Sequence, residues 1–161
     1  MIAAALILFN RLRSRLINWL FWRYNPNRTD AMVDMVNWQG ELRSLDDVRR
    51  FMSHFEWIPE PVEWQPTPLV TFARKQHGDC QTAAVMGAWA LSRIGKPAAV
   101  YTIRAGLFKE SHAIAVSDDR TVMVSNDELI PLLVLPGNGS NEWENYLFSC
   151  FDNRFNTITR A

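Results

Sequence analysis

The fold is decided by one stretch of the chain, His77-Gly78-Asp79-Cys80-Gln81-Thr82-Ala83-Ala84-Val85-Met86-Gly87-Ala88-Trp89-Ala90-Leu91. Gly78 allows a sharp turn because it has no Cβ, and Asp79 can cap the first turn of a helix. The residues after them are rich in Ala, Met and Leu, so we predict a mostly buried helix from Cys80 to Ile94. Cys80 then lies at the positive end of the helix dipole, which favours thiolate over thiol and makes this residue a candidate nucleophile.

Downstream of this helix the apolar pattern changes from helical to extended. Gly95-Lys96-Pro97 ends the helix with a glycine cap followed by proline. Three strands are predicted next, and turn residues between the last two make them an antiparallel hairpin: Ala98–Arg104, His112–Val116 and Thr121–Val124. We expect a loop over residues 136–139 and a closing helix from Asn141 to Phe151.

Upstream of the central helix, helical and extended segments alternate. A weak helical pattern runs from Thr29 to Trp38 and is broken at Gly40. Ser44-Leu45-Asp46-Asp47 has the pattern of a capping box, ahead of a helix with an apolar stripe of Val48, Phe51, Met52 and Phe55. Prolines concentrated in residues 59–68 require an extended segment, and a short helix is predicted from Pro68 to Lys75.

Residues 1–24 differ in composition from the rest of the chain. An apolar run from Met1 to Phe9 is followed by four arginines among apolar residues, and no acidic residue occurs before Asp30. The uninterrupted apolar run is too short to span a bilayer, which takes about 20 residues. The positive charges follow the run, whereas in a signal peptide they precede it. We therefore expect neither a membrane-spanning helix nor a signal peptide here.

As a helix, this segment is basic and amphipathic. Two groups of side chains separate on opposite sides, an apolar one of Leu12, Leu16, Trp19 and Leu20 and a polar one of Asn10, Arg11, Ser14 and Asn18. Such a helix can lie on a membrane surface or pack against protein, either its own domain or a neighbouring subunit. We treat residues 1–26 as an N-terminal amphipathic helix that precedes a domain of residues 27–161.

Composition sets further bounds. The chain has 161 residues, of which 48% are hydrophobic and 21% charged, as is typical of one globular domain. The formal net charge is +0, which gives no overall attraction toward nucleic acid, so no nucleic-acid partner is expected. The two cysteines, Cys80 and Cys150, favour reduced thiols because the chain is not a short, cysteine-dense scaffold.

Three candidate catalytic positions follow one another along the chain. Cys80 begins a helix, His112 begins a strand 32 residues later, and Asn126 follows the next strand after 14 more residues. A helix packed on a sheet can bring the thiol against the strand of His112, and a neighbouring strand can present a polar group to the other ring nitrogen. The imidazole would then take the thiol proton while the third residue fixes its tautomer, and the Cys80 N–H would serve an oxyanion hole.

These motifs resemble those of the transglutaminase-like cysteine peptidase superfamily, above all its small bacterial and phage members. The matching segments span about residues 40–128: Glu41–Val48, the Trp- and Pro-rich stretch, Gly78-Asp79-Cys80, Gly95-Lys96-Pro97, Ser111-His112-Ala113 and Val124-Ser125-Asn126. The resemblance implies an α+β, papain/transglutaminase-like fold, with the Cys80 helix packed on a small antiparallel sheet. It also implies that Cys80 is the nucleophile and His112 the base.

The third catalytic position departs from the family pattern. The family usually has Asp where this chain has Ser125-Asn126-Asp127. We prefer Asn126, because Asn orients the His in papain-like enzymes. Asp127 would point to the other face of a continuing strand, and Ser125 would be a weaker orienting group. Gln76 is a candidate second oxyanion donor.

Other interpretations of the same residues compete with this one. Cysteine often acts as a small buried hydrophobe, and His77 could replace His112 as the base if the turn folds back. A zinc site of Cys80, His77, His112 and Asp79 would lack the close ligand spacing of such sites. We therefore predict no metal and no other cofactor.

Two functions are compatible with these residues. The first is a cysteine hydrolase that cleaves peptide or isopeptide bonds in protein or cell wall through a thioester; a transferase, in which an amine replaces water, would use the same residues. The second is a catalytically weak or inactive structural or virion-associated protein that binds partners through this fold and its N-terminal helix. A cytoplasmic or virion-associated location is expected, with membrane-surface contact through residues 1–24 as a further option.

Overall fold

The computed structural model describes residues 2–60, 65–106, 110–133 and 140–160. Within these residues the chain forms helices and short strands in an α+β arrangement, as the sequence predicts. In chain order they are α1 (Ile2–Tyr24), α2 (Arg28–Glu41), α3 (Leu45–Met52), β1 (Glu56–Trp57), α4 (Pro68–Ala73), β2 (His77–Gly78), α5 (Cys80–Arg93), β3 (Ala98–Arg104), β4 (Ser111–Ser117), β5 (Val122–Ser125), β6 (Glu128–Pro131), α6 (Ser140–Ser149) and β7 (Thr157–Arg160).

The main sheet is antiparallel throughout and has the strand order β6-β5-β4-β3-β7. The predicted hairpin is confirmed, since β4 and β5 pair with Ile114 opposite Ser125. The bounds predicted for β3 are also confirmed, whereas β6 and β7 were not predicted. A separate parallel pair joins β1 to β2, just ahead of Cys80.

The central helix α5 packs across β3, β4 and β5. Its start is set by Asp79, whose Oδ1 accepts hydrogen bonds from the backbone N–H groups of Gln81 at 2.9 Å and Thr82 at 3.2 Å. This is the predicted cap. The helix also lies close to the sheet, because a Cβ added at Gly87 would come within 2.7 Å of the Val124 side chain.

Two apolar clusters occupy the two faces of the sheet. Alternate residues of a strand point to opposite faces, and β4 and β5 divide accordingly. The first cluster joins Ala115 and Val124 to α5 and the upstream helices. The second joins Ile114, Val116 and Met123 to α6 and the residues after it.

For the helices upstream of α5, the predicted first residues agree with the structure better than the predicted last residues do. The capping box is confirmed, with Ser44 and Asp47 bonding each other's backbone N–H at 2.9 and 3.2 Å. The predicted break at Gly40 is wrong, since α2 continues to Glu41 and ends where Leu42 turns into the core.

Two further helices are shorter than predicted. Helix α4 ends at Ala73, because Lys75 and Gln76 adopt positive φ angles of 55° and 59° that no helix can contain. Helix α6 ends at Ser149, before Phe151. The loop expected at residues 136–139 lies outside the described residues.

Helix α1 attaches to the domain through its polar side and its last turns. Asn18 bonds Gln65 and Thr67, and Phe21 and Trp22 pack against the first apolar cluster. Among the helices of the described residues, none is both long and apolar enough to cross a bilayer.

Candidate active site

Cys80 is the first residue of α5, and backbone N–H groups surround its thiol. The backbone N–H groups of Ala113 on β4, of Cys80 itself and of Gln81 stabilise the thiolate and so act to lower the pKa of Cys80. Burial nevertheless raises the pKa of Cys80, helped by the negative charge of Asp79, and these effects outweigh the N–H groups. The N–H groups at the helix start favour the thiolate, in the predicted direction, but the net result is a raised pKa of Cys80.

His112 lies near the start of β4, with its ring against two aromatic side chains. The centroid of the imidazole ring lies 5.7 Å from that of Phe151 and 6.4 Å from that of Phe155. The imidazole is nearly parallel to the Phe155 ring. Burial lowers the pKa of His112, and the charge of Arg154 lowers it further against the opposing effect of Glu110. The imidazole is therefore neutral at neutral pH, as a general base must be.

The thiol and the imidazole lie at the same end of the helix-on-sheet layer. Cys80 begins α5 and His112 is the second residue of β4. One of the backbone N–H groups that lower the pKa of Cys80 belongs to Ala113, the residue directly after His112. The start of α5 and the start of β4 thus lie near each other, whereas the catalytic pairing of Cys80 with His112 stays a prediction.

Ser125, and neither Asn126 nor Asp127, contacts the imidazole. The Ser125 Oγ lies 2.9 Å from His112 Nε2. Ser125 pairs with Ile114, which shares a face of β4 with His112, so the hydroxyl is directed to the ring side of the sheet. Asn126, which the sequence analysis preferred as the orienting residue, does not take this role, because β5 ends at Ser125.

The two other candidates for the third position lie in the turn between β5 and β6. Asn126 has a φ of 53°, and its side-chain oxygen is buried without a hydrogen-bond partner. Asp127 is exposed. Neither is placed to orient His112. Ser125 offers an uncharged hydroxyl instead, which stabilises an imidazolium less than a carboxylate would.

A buried polar network fixes the start of α5. The Oε1 atom of Glu60 accepts hydrogen bonds from Arg74 at 2.8 Å and from the Thr82 hydroxyl at 2.9 Å, and the Glu60 side chain is only 6% exposed. Thr82 also closes this region sterically, because a Cβ at Gly78 would collide with it. These contacts hold the helix turn that carries Cys80.

Sequence reasoning missed this network. Glu60 and Thr82 are 22 residues apart, and no local pattern links a glutamate in a proline-rich segment to a helix. The usable signal in the sequence is the position of a charged residue, Glu60, between two prolines.

The remaining candidates lie beside the helix start. Gln76 is half-buried in the turn that leads into β2, and its role as an oxyanion donor stays a prediction. His77 pairs with Glu56, its Nε2 lying 3.0 Å from the carboxylate, and this contact holds the ring on the β1–β2 pair. Within the described ranges, no group of three or more His, Cys, Asp or Glu side chains could hold a metal ion.

A cleft of about 800 Å³ is lined in part by Gln81, the residue after Cys80. It runs between α1 on one side and α5, β3 and β7 on the other. Among the described residues that line it, the charged ones are all arginines: Arg13, Arg15, Arg93, Arg104 and Arg160. The cleft is large enough for a segment of extended peptide.

Solved structures of LapG from Legionella pneumophila share this fold. The calcium-bound form matches with a TM-score of 0.51 and 14% identity over 85% of this chain and 98% of that chain. The EGTA-treated form has the same score and identity over 73% and 74%, and another LapG structure gives 0.50 and 13% over 88% and 97%. No family model and no curated protein matches the sequence. The likeness confirms the predicted papain/transglutaminase-like fold.

Proposed function

We propose that the chain is a cysteine hydrolase that cleaves an amide bond through a thioester on Cys80. The observation that carries the proposal is the placement of the Cys80 thiol at a helix start, beside the strand of a neutral His112 whose Nε2 is held by Ser125. The fold shared with LapG supports it, as does the resemblance to transglutaminase-like cysteine peptidases. Assignment to small bacterial or phage members belongs to the same proposal.

The first chemical step is acyl transfer to the sulfur. Because the pKa of Cys80 is raised and that of His112 lowered, the resting pair is a neutral thiol and a neutral imidazole. In this step His112 Nδ1 takes the thiol proton as the sulfur attacks the carbonyl carbon, which requires the tautomer whose Nε2–H donates to the Ser125 hydroxyl. The C–N bond then breaks, and the imidazolium returns its proton to the leaving amine.

The second step releases the acyl group. Water, deprotonated by the neutral imidazole, attacks the thioester, and the sulfur leaves and regains its proton. The Cys80 N–H at the helix start stabilises the oxyanion in both steps, with Gln76 as the second donor. An amine in place of water gives the transferase outcome with the same residues.

The substrate in this proposal is a peptide or isopeptide bond in protein or cell wall. The cleft lined in part by Gln81 supports a polypeptide substrate, because its volume accommodates an extended segment and Gln81 directly follows Cys80. The serine at the orienting position limits the rate, since a hydroxyl supplies no charge to the imidazolium. This is the feature that favours the alternative, a weakly active or inactive protein that uses the same fold to bind partners.

The proposal is tested by hydrolysis assays on denatured casein and on purified peptidoglycan peptides. We expect Cys80→Ala and His112→Ala each to lower the rate by at least about a thousandfold, because each removes a member of a pair that acts as a unit. Cys150→Ala is the matched control, since this thiol is exposed and outside the site, and it should keep full activity.

Two results would contradict the proposal. One is a wild-type protein that shows no hydrolysis and no transfer to an added amine on either substrate, which would support the binding role. The other is an active wild-type protein whose Cys80→Ala variant retains the activity, which would place the chemistry elsewhere.

A further inference from the structure

Helix α1 turns its polar side toward its own domain. Asn18 Nδ2 donates to the Gln65 carbonyl at 2.9 Å, and Asn18 Oδ1 accepts from the Thr67 N–H at 2.9 Å. One turn earlier, the Ser14 hydroxyl accepts from the Gln65 N–H at 3.3 Å. The contacts of this side are therefore hydrogen bonds to the backbone of one extended segment.

The opposite side of α1 carries an apolar stripe that faces solvent. Its members recur every three or four residues, which places them on one side of a helix. They are between 41% and 62% exposed: Phe9, Leu12, Leu16, Trp19 and Leu20. A helix that only packs on its own domain buries its apolar side and exposes its polar side, so α1 has the reverse orientation.

The charges beside the stripe are all positive. Arg15 and Arg23 are exposed. Arg23 lies seven residues after Leu16, which places it on nearly the same side of the helix. No acidic residue precedes Asp30. This local excess contrasts with a formal net charge of +0 for the whole chain. An apolar stripe bordered by arginines, with Trp19 and Tyr24 toward its end, complements a negatively charged lipid surface.

We infer that α1 binds the surface of an anionic lipid bilayer. The stripe enters the boundary between headgroups and acyl chains, and the arginines contact lipid phosphates. The helix lies parallel to the bilayer, because its polar side stays hydrogen-bonded to residues 65–67. This inference is independent of the proposed chemistry, so it can hold for an inactive protein and fail for an active one.

The test is flotation of the full chain with lipid vesicles. One set contains phosphatidylcholine alone and the other equal parts of phosphatidylcholine and phosphatidylglycerol. We expect binding to the second set, weakened by added salt, and a loss of at least about tenfold in Leu16→Glu, which puts a negative charge on the stripe. Leu133→Glu is the matched control, because Leu133 is similarly exposed but outside α1, and it should bind like the wild type.

Each other outcome overturns the inference. Equal binding of Leu16→Glu and the wild type would show that the stripe does not contact lipid. A wild-type protein that binds neither vesicle set would also show that the stripe does not contact lipid. If the wild type binds neither set but forms dimers in solution that Leu16→Glu abolishes, the stripe contacts a second copy of the chain instead. Circular dichroism of the variants confirms that each is folded.

Discussion

Helices α1 and α5 are both rich in apolar residues, yet the structure uses them in opposite ways. In α5 all residues from Thr82 to Gly87 are buried, and the helix lies between the sheet and the upstream helices. In α1 the apolar stripe described above faces away from the domain, and only Phe21 and Trp22 of its last turns pack against the first apolar cluster. The difference shows that apolar content alone does not predict burial. The position of the polar anchors decides it, with Asp79 at the end of α5 and with Ser14 and Asn18 along one side of α1.

The largest effect is expected from truncation of a buried leucine in α5. Leu91 is fully buried in the first apolar cluster, and Leu91→Ala would leave a cavity there. We expect the free energy of unfolding to fall by about 3 kcal/mol, the usual cost of such a change. Urea denaturation followed by circular dichroism measures it. A loss below about 1 kcal/mol would mean that α5 is less tightly packed than its burial indicates.

A smaller effect is expected at the cap of α5. Asp79→Ala removes the acceptor for the N–H groups of Gln81 and Thr82, and the unfolding free energy should fall by about 1 kcal/mol. Asp79→Asn is the matched control, because it keeps an acceptor oxygen and should lose much less. If the unfolding free energy falls equally in the two variants, the helix is stabilised by the charge of Asp79 and not by the hydrogen bonds that Asp79 accepts.

The same two variants report on the nucleophile. The negative charge of Asp79 raises the pKa of Cys80, so either substitution should lower that pKa and increase the thiolate fraction at neutral pH. Alkylation of Cys80 by iodoacetamide, in a Cys150→Ala background, should therefore be faster in both variants than in the parent. Unchanged rates would mean that Asp79 does not act on the thiol.

The sequence was sufficient where a local rule sets the structure. The cap at Asp79, the capping box at Ser44 and the ends of β3 follow from the residues at those positions alone, and the structure has them as predicted. Strands β6 and β7 were not predicted because each has only four residues. Their end residues are exposed, so neither strand shows the alternation of buried and exposed residues that marks a strand.

The orienting residue of the candidate site could not be chosen without the register of β5. A continuing strand would have placed Asn126 differently, but a two-residue turn begins there and Ser125 pairs with Glu128. The signal for this turn was present, because Asn adopts positive φ more readily than most residues and Asp favours turns. Contacts that join distant segments, such as Glu60 to Thr82, depend on the whole fold and have no such local signal.

The smallest effect on stability is expected from Leu16→Ala in α1, the counterpart of Leu91→Ala. Leu16 is more than half exposed, so its truncation removes little buried surface, and Ala favours helix at least as well as Leu. The unfolding free energy should change by less than about 0.5 kcal/mol, as is usual for surface substitutions. A loss approaching that of Leu91→Ala would mean that the stripe is buried in solution, against the domain or a second chain. The contrast between the two helices would then disappear, because both would bury their apolar residues in protein.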